Sequence, residues 1–301
     1  MNVSPFGKGL FFACSAFFLW GILPLYWRFL IGVHPLHILS LRILLSLVLV
    51  AAILLARKNV AWLLVFRNPK KAALLVLTGL LLCTNWGLYI WAVNQERTIE
   101  ASLGYYINPL VSILLGLLFF RERLRPLQWI AVAVAFSGVL LITVLSGLLP
   151  WISLVLAATF GFYGLLKKMH SLSALESLGA ETLASVPVGI AILLLGFGGG
   201  NGNVAFAGLS GLGYFAGLPV HTLALLALCG AVTALPLYLF ARSTKLLPLS
   251  TVGFTQFIGP TLQFLIGLLV FGEAFPSYYL AAFVMIWAAV VLYVVSLRGK
   301  K

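Results

Sequence analysis

Apolar runs of about twenty residues, separated by short clusters of charge, organise the whole chain. Stretches such as LLVLTGLLLCTNWGLYIWAV are apolar on every side of a helix and lack the two-residue alternation of a barrel strand. A hydrocarbon layer about 30 Å thick is crossed by about 20 residues rising 1.5 Å each, so the runs match a bilayer. The pattern predicts ten spans, over residues 9–27, 36–56, 72–93, 101–120, 127–146, 151–166, 178–196, 220–241, 250–271 and 277–297. The expected fold class is an all-α integral membrane protein with ten transmembrane helices.

Composition supports this solvent assignment. A 301-residue chain that is 62% hydrophobic and 8% charged cannot hide its apolar surface in a water-soluble core. The net charge of +13 first suggests a nucleic acid or anionic partner, but its distribution says otherwise. With the N-terminus inside, sixteen of the nineteen Lys and Arg residues fall in inward segments; Arg28 and Arg97 lie outside and Arg42 within a span. The charge therefore sets orientation, with both termini cytoplasmic and no nucleic-acid partner expected. Cys14, Cys83 and Cys229 lie in apolar runs without ligand or disulfide spacing and read as packing residues. The first run continues through Trp27 with no small-residue cleavage site, so no signal peptide is expected.

One segment occurs twice. Residues 104–122 read GYYINPLVSILLGLLFFRE, and residues 253–273 read GFTQFIGPTLQFLIGLLVFGE. A displacement of 151 residues places Pro109 on Pro260, Gly116 on Gly267, Phe120 on Phe271 and Glu122 on Glu273, and also Gly79 on Gly230. Pro126 and Pro276 open the following spans, where proline costs no helical hydrogen bond. The repeated unit is five spans long, 1–147 and then 148–301. Because five is odd, the copies run in opposite senses across the membrane, as two inverted repeats. Residues 196–217, rich in glycine and free of charge, read as a flexible surface loop.

Polar residues deep in such spans need partners and are candidates for function. Tyr105, Asn108, Ser112 and Gly116 share one helical face, and Gln256, Gly259, Gln263 and Gly267 repeat the spacing in the second copy. Each stripe lies beside a proline able to bend its helix around a midplane cavity. Asn85 and Tyr89 stack on one face of the third span near Trp86 and Trp91, an aromatic wall with polar tips suited to an amphiphilic organic ligand. Trp20 and Tyr163 are weaker candidates of the same type. Arg42 is roughly 8 Å inside the second span, as an anchor for an anionic group or as the partner of Glu96 or Glu100. Glu181 holds the corresponding place in the second copy, counted from the helix start. Glu181 and Glu100 are the candidate proton-coupling carboxylates, whereas Glu176 reads as a capping-box partner of Ser173. His34, His37 and His221 gather at the outer face as interfacial hydrogen-bonders. The chain has no aspartate and no HExxH, Walker, GxGxxG or GxSxG motif, so no metal or cofactor is expected.

FLWGILPLYWR, NWGLYIWAVN, EASLGYYINPLVSILLG, RERLRPLQWIAVA, TALPLYLFA and LPLSTVGFTQFIGPTLQFLIG together resemble the RarD branch of EamA-type permeases in the drug/metabolite transporter superfamily. The resemblance covers about residues 5–297. It implies ten helices in inverted five-helix repeats, a bacterial inner-membrane location, and a central cavity between the third, fourth, eighth and ninth spans. The segment NQERTIEASLG, with Glu96 and Arg97, departs from the family by its charge. The resulting expectation is a secondary transporter, not an enzyme, moving a small amphiphilic metabolite or drug by alternating access. Its pocket would comprise Asn85, Tyr89, Tyr105, Asn108, Gln256, Gln263 and Arg42. A membrane-embedded transferase and a lipid-handling scaffold are the rival classes. Membrane lipid is an expected partner, and a stripe of Ala131, Ala135 and Gly138 would equally permit packing within one chain or in a homodimer.

Overall fold

The computed structural model describes residues 4–94, 98–147, 151–197, 204–206, 213–272 and 276–298. Ten of its helical segments are long and apolar enough to cross a membrane. They are α1 (Pro5–Arg28), α2 (Pro35–Ala56), α4 (Pro69–Asn94), α5 (Thr98–Phe120), α6 (Pro126–Ser146), α7 (Trp151–Met169), α8 (Ala174–Leu194), α10 (Val220–Leu246), α11 with α12 (Leu249–Gln256 and Ile258–Leu269) and α13 (Ser277–Arg298). Short helix α3 (Ala61–Leu64) and a 3-10 turn (Val65–Arg67) connect α2 to α4.

Helix starts follow from local chemistry. Ser4 caps α1 by accepting from Gly7 N–H at 3.1 Å, and proline occupies the first turn of α1, α2 and α6. Helix α8 begins four residues before the expected span, because Ser173 and Glu176 form the reciprocal capping box: Ser173 N–H donates to Glu176 Oε2 at 2.9 Å and Glu176 N–H to Ser173 Oγ at 3.3 Å. The ninth span is broken at Phe257, a feature beyond the gentle bend expected there. Pro260 has no N–H to give the Gln256 carbonyl, so the ladder is interrupted one turn earlier. Within 196–217, expected to be a loop, Leu195–Phe197 pairs antiparallel with Val204–Phe206, and α9 covers Gly213–Ala216.

The principal pairings all join the first five spans to the second five. Helix α1 packs on α10, α11 and α12; α7 packs on α4 and α5; α2 packs on α8 and α10; and α8 packs on α4. Helices α5 and α11 pair, as do α6 and α13. Exchanging each helix for its counterpart five spans away maps this set of pairings onto itself. Glycine marks two matching crossings: a Cβ on Gly79 would come within 2.9 Å of the Glu181 carbonyl oxygen, and one on Gly230 within 2.6 Å of the Leu45 carbonyl. With an even number of spans, both ends of the chain share one face, called here the terminal face.

Candidate functional site

Arg42 is the eighth residue of α2, on the side of the bundle opposite the terminal face. Its Nε–H donates to Thr233 Oγ1 of α10 at 3.0 Å, which uses one of its five donors. The guanidinium carbon lies 4.2 Å from the ring centroid of Trp86 on α4 and 5.2 Å from that of Trp27 on α1. The phenols of Tyr26, Tyr89 and Tyr105 lie close enough to interact with its charge, and the rings of Tyr89 and Tyr105 are 5.7 Å apart. None of the described carboxylates pairs with Arg42. Arg42, Trp27, Trp86, Tyr89 and Tyr105 are all half-buried, so four helices converge on a recess that is aromatic in its walls and cationic at one point.

The amide residues divide. Asn108 and Gln256 are buried, and the carbonyl oxygen of each amide has no hydrogen-bond partner. Gln256 donates from Nε2 to Ser112 Oγ at 2.8 Å, which joins the two stripes across the α5–α11 contact. Asn85 instead donates from Nδ2 to the Leu156 carbonyl at 2.8 Å and to Thr159 Oγ1 at 2.9 Å, tying α4 to α7. Gln263 donates to the Trp20 carbonyl at 3.3 Å, the acceptor that Pro24 deprives of its helical partner. Of the seven expected pocket residues, Arg42, Tyr89 and Tyr105 come together, Asn108 and Gln256 are buried along the α5–α11 contact, and Asn85 and Gln263 hold helices to each other.

Nearer the terminal face the bundle is closed. Phe17 and Trp20 of α1, Phe160 and Tyr163 of α7, and Phe240 of α10 form one aromatic cluster with centroids 5.3–5.9 Å apart. Below it Glu181 is fully buried. Tyr163 O–H donates to its Oε1 at 3.0 Å, and its Oε2 lies 2.8 Å from Lys167 Nζ, a close ion pair off the best hydrogen-bond alignment. Lys167 also donates to Ser177 Oγ at 2.9 Å. The charge clusters had placed Lys167 in a flanking segment; α7 continues three residues past the expected end and buries it. No spacing rule marks such a lysine, because its partner Glu181 lies on the next helix rather than one helical turn away.

The repeated Glu explains the end of its own motif. Arg121 adopts a left-handed conformation, φ 51°, which turns Glu122 back toward the bundle. Its carboxylate accepts from Leu249 N–H at 2.6 Å, Ser250 N–H at 2.9 Å and Ser250 Oγ at 2.6 Å, capping α11 from the other half of the chain. Gly116 leaves room for it: a Cβ there would be 2.7 Å from Glu122 Oε2. Lys168 donates to the Leu247 carbonyl and approaches Glu122 Oε1 at 3.9 Å, and Lys245 donates to the His170 carbonyl. Just outside α7, burial and then the charges of Lys167 and Lys245 hold the His170 imidazole down to about 4.

At the opposite face, His34 caps α2 by accepting from Leu36 N–H, and the His37 ring packs on Tyr214 and Phe215 of α9, whereas His221 is exposed. Burial also lowers the affinity of His34 for a proton. Among the described residues no group of His, Cys, Asp or Glu has the arrangement of a metal site. The side chain of Glu100, together with residues Glu96, Arg97 and Glu273, lies outside the described part of the molecule.

Comparison with known proteins gives this architecture a family. The sequence profile of the EamA-like transporter family matches residues 7–144. Protein RarD of Streptomyces exfoliatus is 44% identical over 94% of this chain and 87% of its own length. Uncharacterized transporter YojE of Bacillus subtilis is 42% identical, covering 96% and 94%, and Protein RarD of Escherichia coli is 36% identical, covering 98% and 97%. A solved structure titled "Crystal structure of protein" superposes with a TM-score of 0.70 at 19% identity, over 96% of this chain and 98% of that one, a likeness of fold. The chain belongs to the RarD branch of the EamA-like transporter family.

Proposed function

We propose that this multi-pass membrane protein is a secondary transporter that moves small amphiphilic metabolites or drugs across the bacterial inner membrane by alternating access. The observation that carries the reading is the set of helix pairings, which is preserved when the two halves are exchanged. A bundle built this way has a second arrangement of similar energy in which the halves trade roles, as inverted repeats require. The described state supports an opening toward the face opposite the termini: the Arg42 recess is lined by half-buried side chains, while the aromatic cluster and the Lys167–Glu181 pair fill the other end. The positive-inside distribution supports a cytoplasmic terminal face.

Asn108 and Gln256, with unsatisfied amide oxygens, join Arg42, Tyr89 and Tyr105 as binding residues. Glu181 is the coupling group of this scheme, with Lys167 as its counter-charge. The test is counterflow into proteoliposomes, using a compound first shown to raise the melting temperature of the purified protein. Asn108→Ala and Gln256→Ala are expected to cut accumulation at least tenfold, about 1.4 kcal/mol, while the protein stays folded at the assay temperature, Gln256→Ala melting somewhat lower because it loses its bond to Ser112. Accumulation no greater than in protein-free vesicles, for every stabilising compound, would remove the transport reading.

A further inference from the structure

We infer that the ligand of the Arg42 recess is a monoanionic organic acid with a flat aromatic body, the acid group paired with the guanidinium and the body laid against the tyrosine wall. The inference rests on reading the recess as the transport site and supplies the substrate class.

The charge of Arg42 is the starting point. A guanidinium within a span loses hydration, and the loss is ordinarily offset by a carboxylate. Glu181 is engaged with Lys167, Glu122 with the start of α11, and Glu176 with Ser173 and Asn59. Among the described residues Arg42 therefore has one hydroxyl, Thr233 Oγ1, and the π faces of Trp27 and Trp86. Aromatic faces attract the cation but leave its edge N–H groups unsatisfied. Those edges match a carboxylate, which takes two parallel N–H···O bonds from a guanidinium.

The surroundings select the rest of the molecule. The rings of Trp86 and Trp27 lie 4.2 and 5.2 Å from the guanidinium carbon, and Tyr89 and Tyr105, with rings 5.7 Å apart, stand within range of its charge. A flat ring gains area and stacking against such a wall at little cost in conformational entropy. A single negative charge fits because Arg28, the other described arginine toward that face, is directed onto the Phe271 ring at 4.6 Å. A dianion would leave its second charge among phenols and indoles. The same anionic chemistry could also come from a phospholipid headgroup, and the experiment separates the two sources.

The experiment compares matched pairs on the full chain in nanodiscs of zwitterionic phosphatidylcholine. Benzoate, cinnamate and 2-naphthoate are titrated beside benzamide, cinnamamide and 2-naphthamide, with cyclohexanecarboxylate as the non-aromatic acid. Binding is read by calorimetry and by melting temperature. Aromatic acids are expected to bind at least tenfold tighter than their amides and than cyclohexanecarboxylate. Arg42→Gln should abolish that preference and Arg42→Lys, which keeps the charge without the fork, should recover part of it. The acid-over-amide preference in the unaltered protein tests the idea even if an Arg42 variant fails to fold. Equal binding of acids and amides, or no binding of any aromatic acid, overturns it. Stabilisation by phosphatidylglycerol nanodiscs that aromatic acids do not reverse also overturns it, in favour of a lipid headgroup. Counterflow of the same compounds keeps the two readings apart: neutral amides carried as well as acids refute the substrate class and leave transport standing, whereas acids that bind through Arg42 and are never accumulated refute transport alone.

Discussion

Arg42 and Glu181 are each the eighth residue of their helix, in α2 and α8, two helices that pack together as counterparts in the two halves of the chain. One is a cation held among rings with a hydroxyl for company; the other is an anion locked to Lys167 and Tyr163 and shut away from solvent. The same position in these two helices thus holds a cation with no described carboxylate in one case and a buried ion pair in the other. The difference lies in whether the protein supplies the counter-charge. Where it does, removing one partner leaves an orphan charge and the fold suffers. Where no described residue does, as at Arg42, the proposal above takes the partner from outside, and the fold should have little to lose.

The largest effect expected from this contrast is at the closed end. Lys167→Met leaves Glu181 buried without its ammonium and should destabilise the protein by about 3–5 kcal/mol, read as the unfolding transition in detergent. Adding Glu181→Gln should recover most of that loss. A double variant as unstable as the single one would show that the pair is held by something other than its charges, and the contrast would collapse.

A smaller effect comes from His170 at the same end, whose imidazole is held at about 4 against 6.5 in an unfolded chain. As pH falls, the unfolded chain takes up the proton first. Stability that is complete above pH 6.5 is therefore lost between there and pH 4, by on the order of 3 kcal/mol in full, and His170→Gln should remove this part of the pH dependence. A melting temperature whose slope over that range is the same in His170→Gln would place the acid sensitivity elsewhere.

The smallest change in stability is expected where the change in function is greatest. Arg42→Gln orphans no buried carboxylate among the described residues, so its unfolding midpoint without ligand should stay within about 1 kcal/mol of the unaltered protein. A loss comparable to that of Lys167→Met would mean that Arg42 is structural, and the two positions would be alike after all.

Much of the architecture could be read from the chain because lipid makes periodicity and charge clustering unusually informative. The ten spans, the Ser173–Glu176 cap and the approach of Tyr89, Tyr105 and Arg42 all follow from local spacing or from deeply placed polar residues. Pairwise partners were less legible. Asn85 and Gln263 look like pocket residues in a helical projection, yet each spends its amide on a carbonyl of another helix, which no one-dimensional pattern displays. Lys167 looked like a flank because a lysine near a helix end ordinarily snorkels to the surface; only the carboxylate of the adjoining helix makes burial tolerable. The break at Phe257 needed both Pro260 and the loss of its hydrogen bond to be weighed together, since Pro109 interrupts α5 without dividing it.

The cap that Glu122 places on α11 also has a consequence for water. Withdrawing that carboxylate from the terminal end of the helix leaves the Leu249 and Ser250 amides and the Ser250 hydroxyl without its oxygens. Opening that end and wetting it are consequently a single event, with water molecules taking the places of two carboxylate oxygens. On the alternating-access proposal, the balance between the two arrangements then depends on the thermodynamic activity of water itself, and an osmolyte too large to enter should hold the terminal end shut.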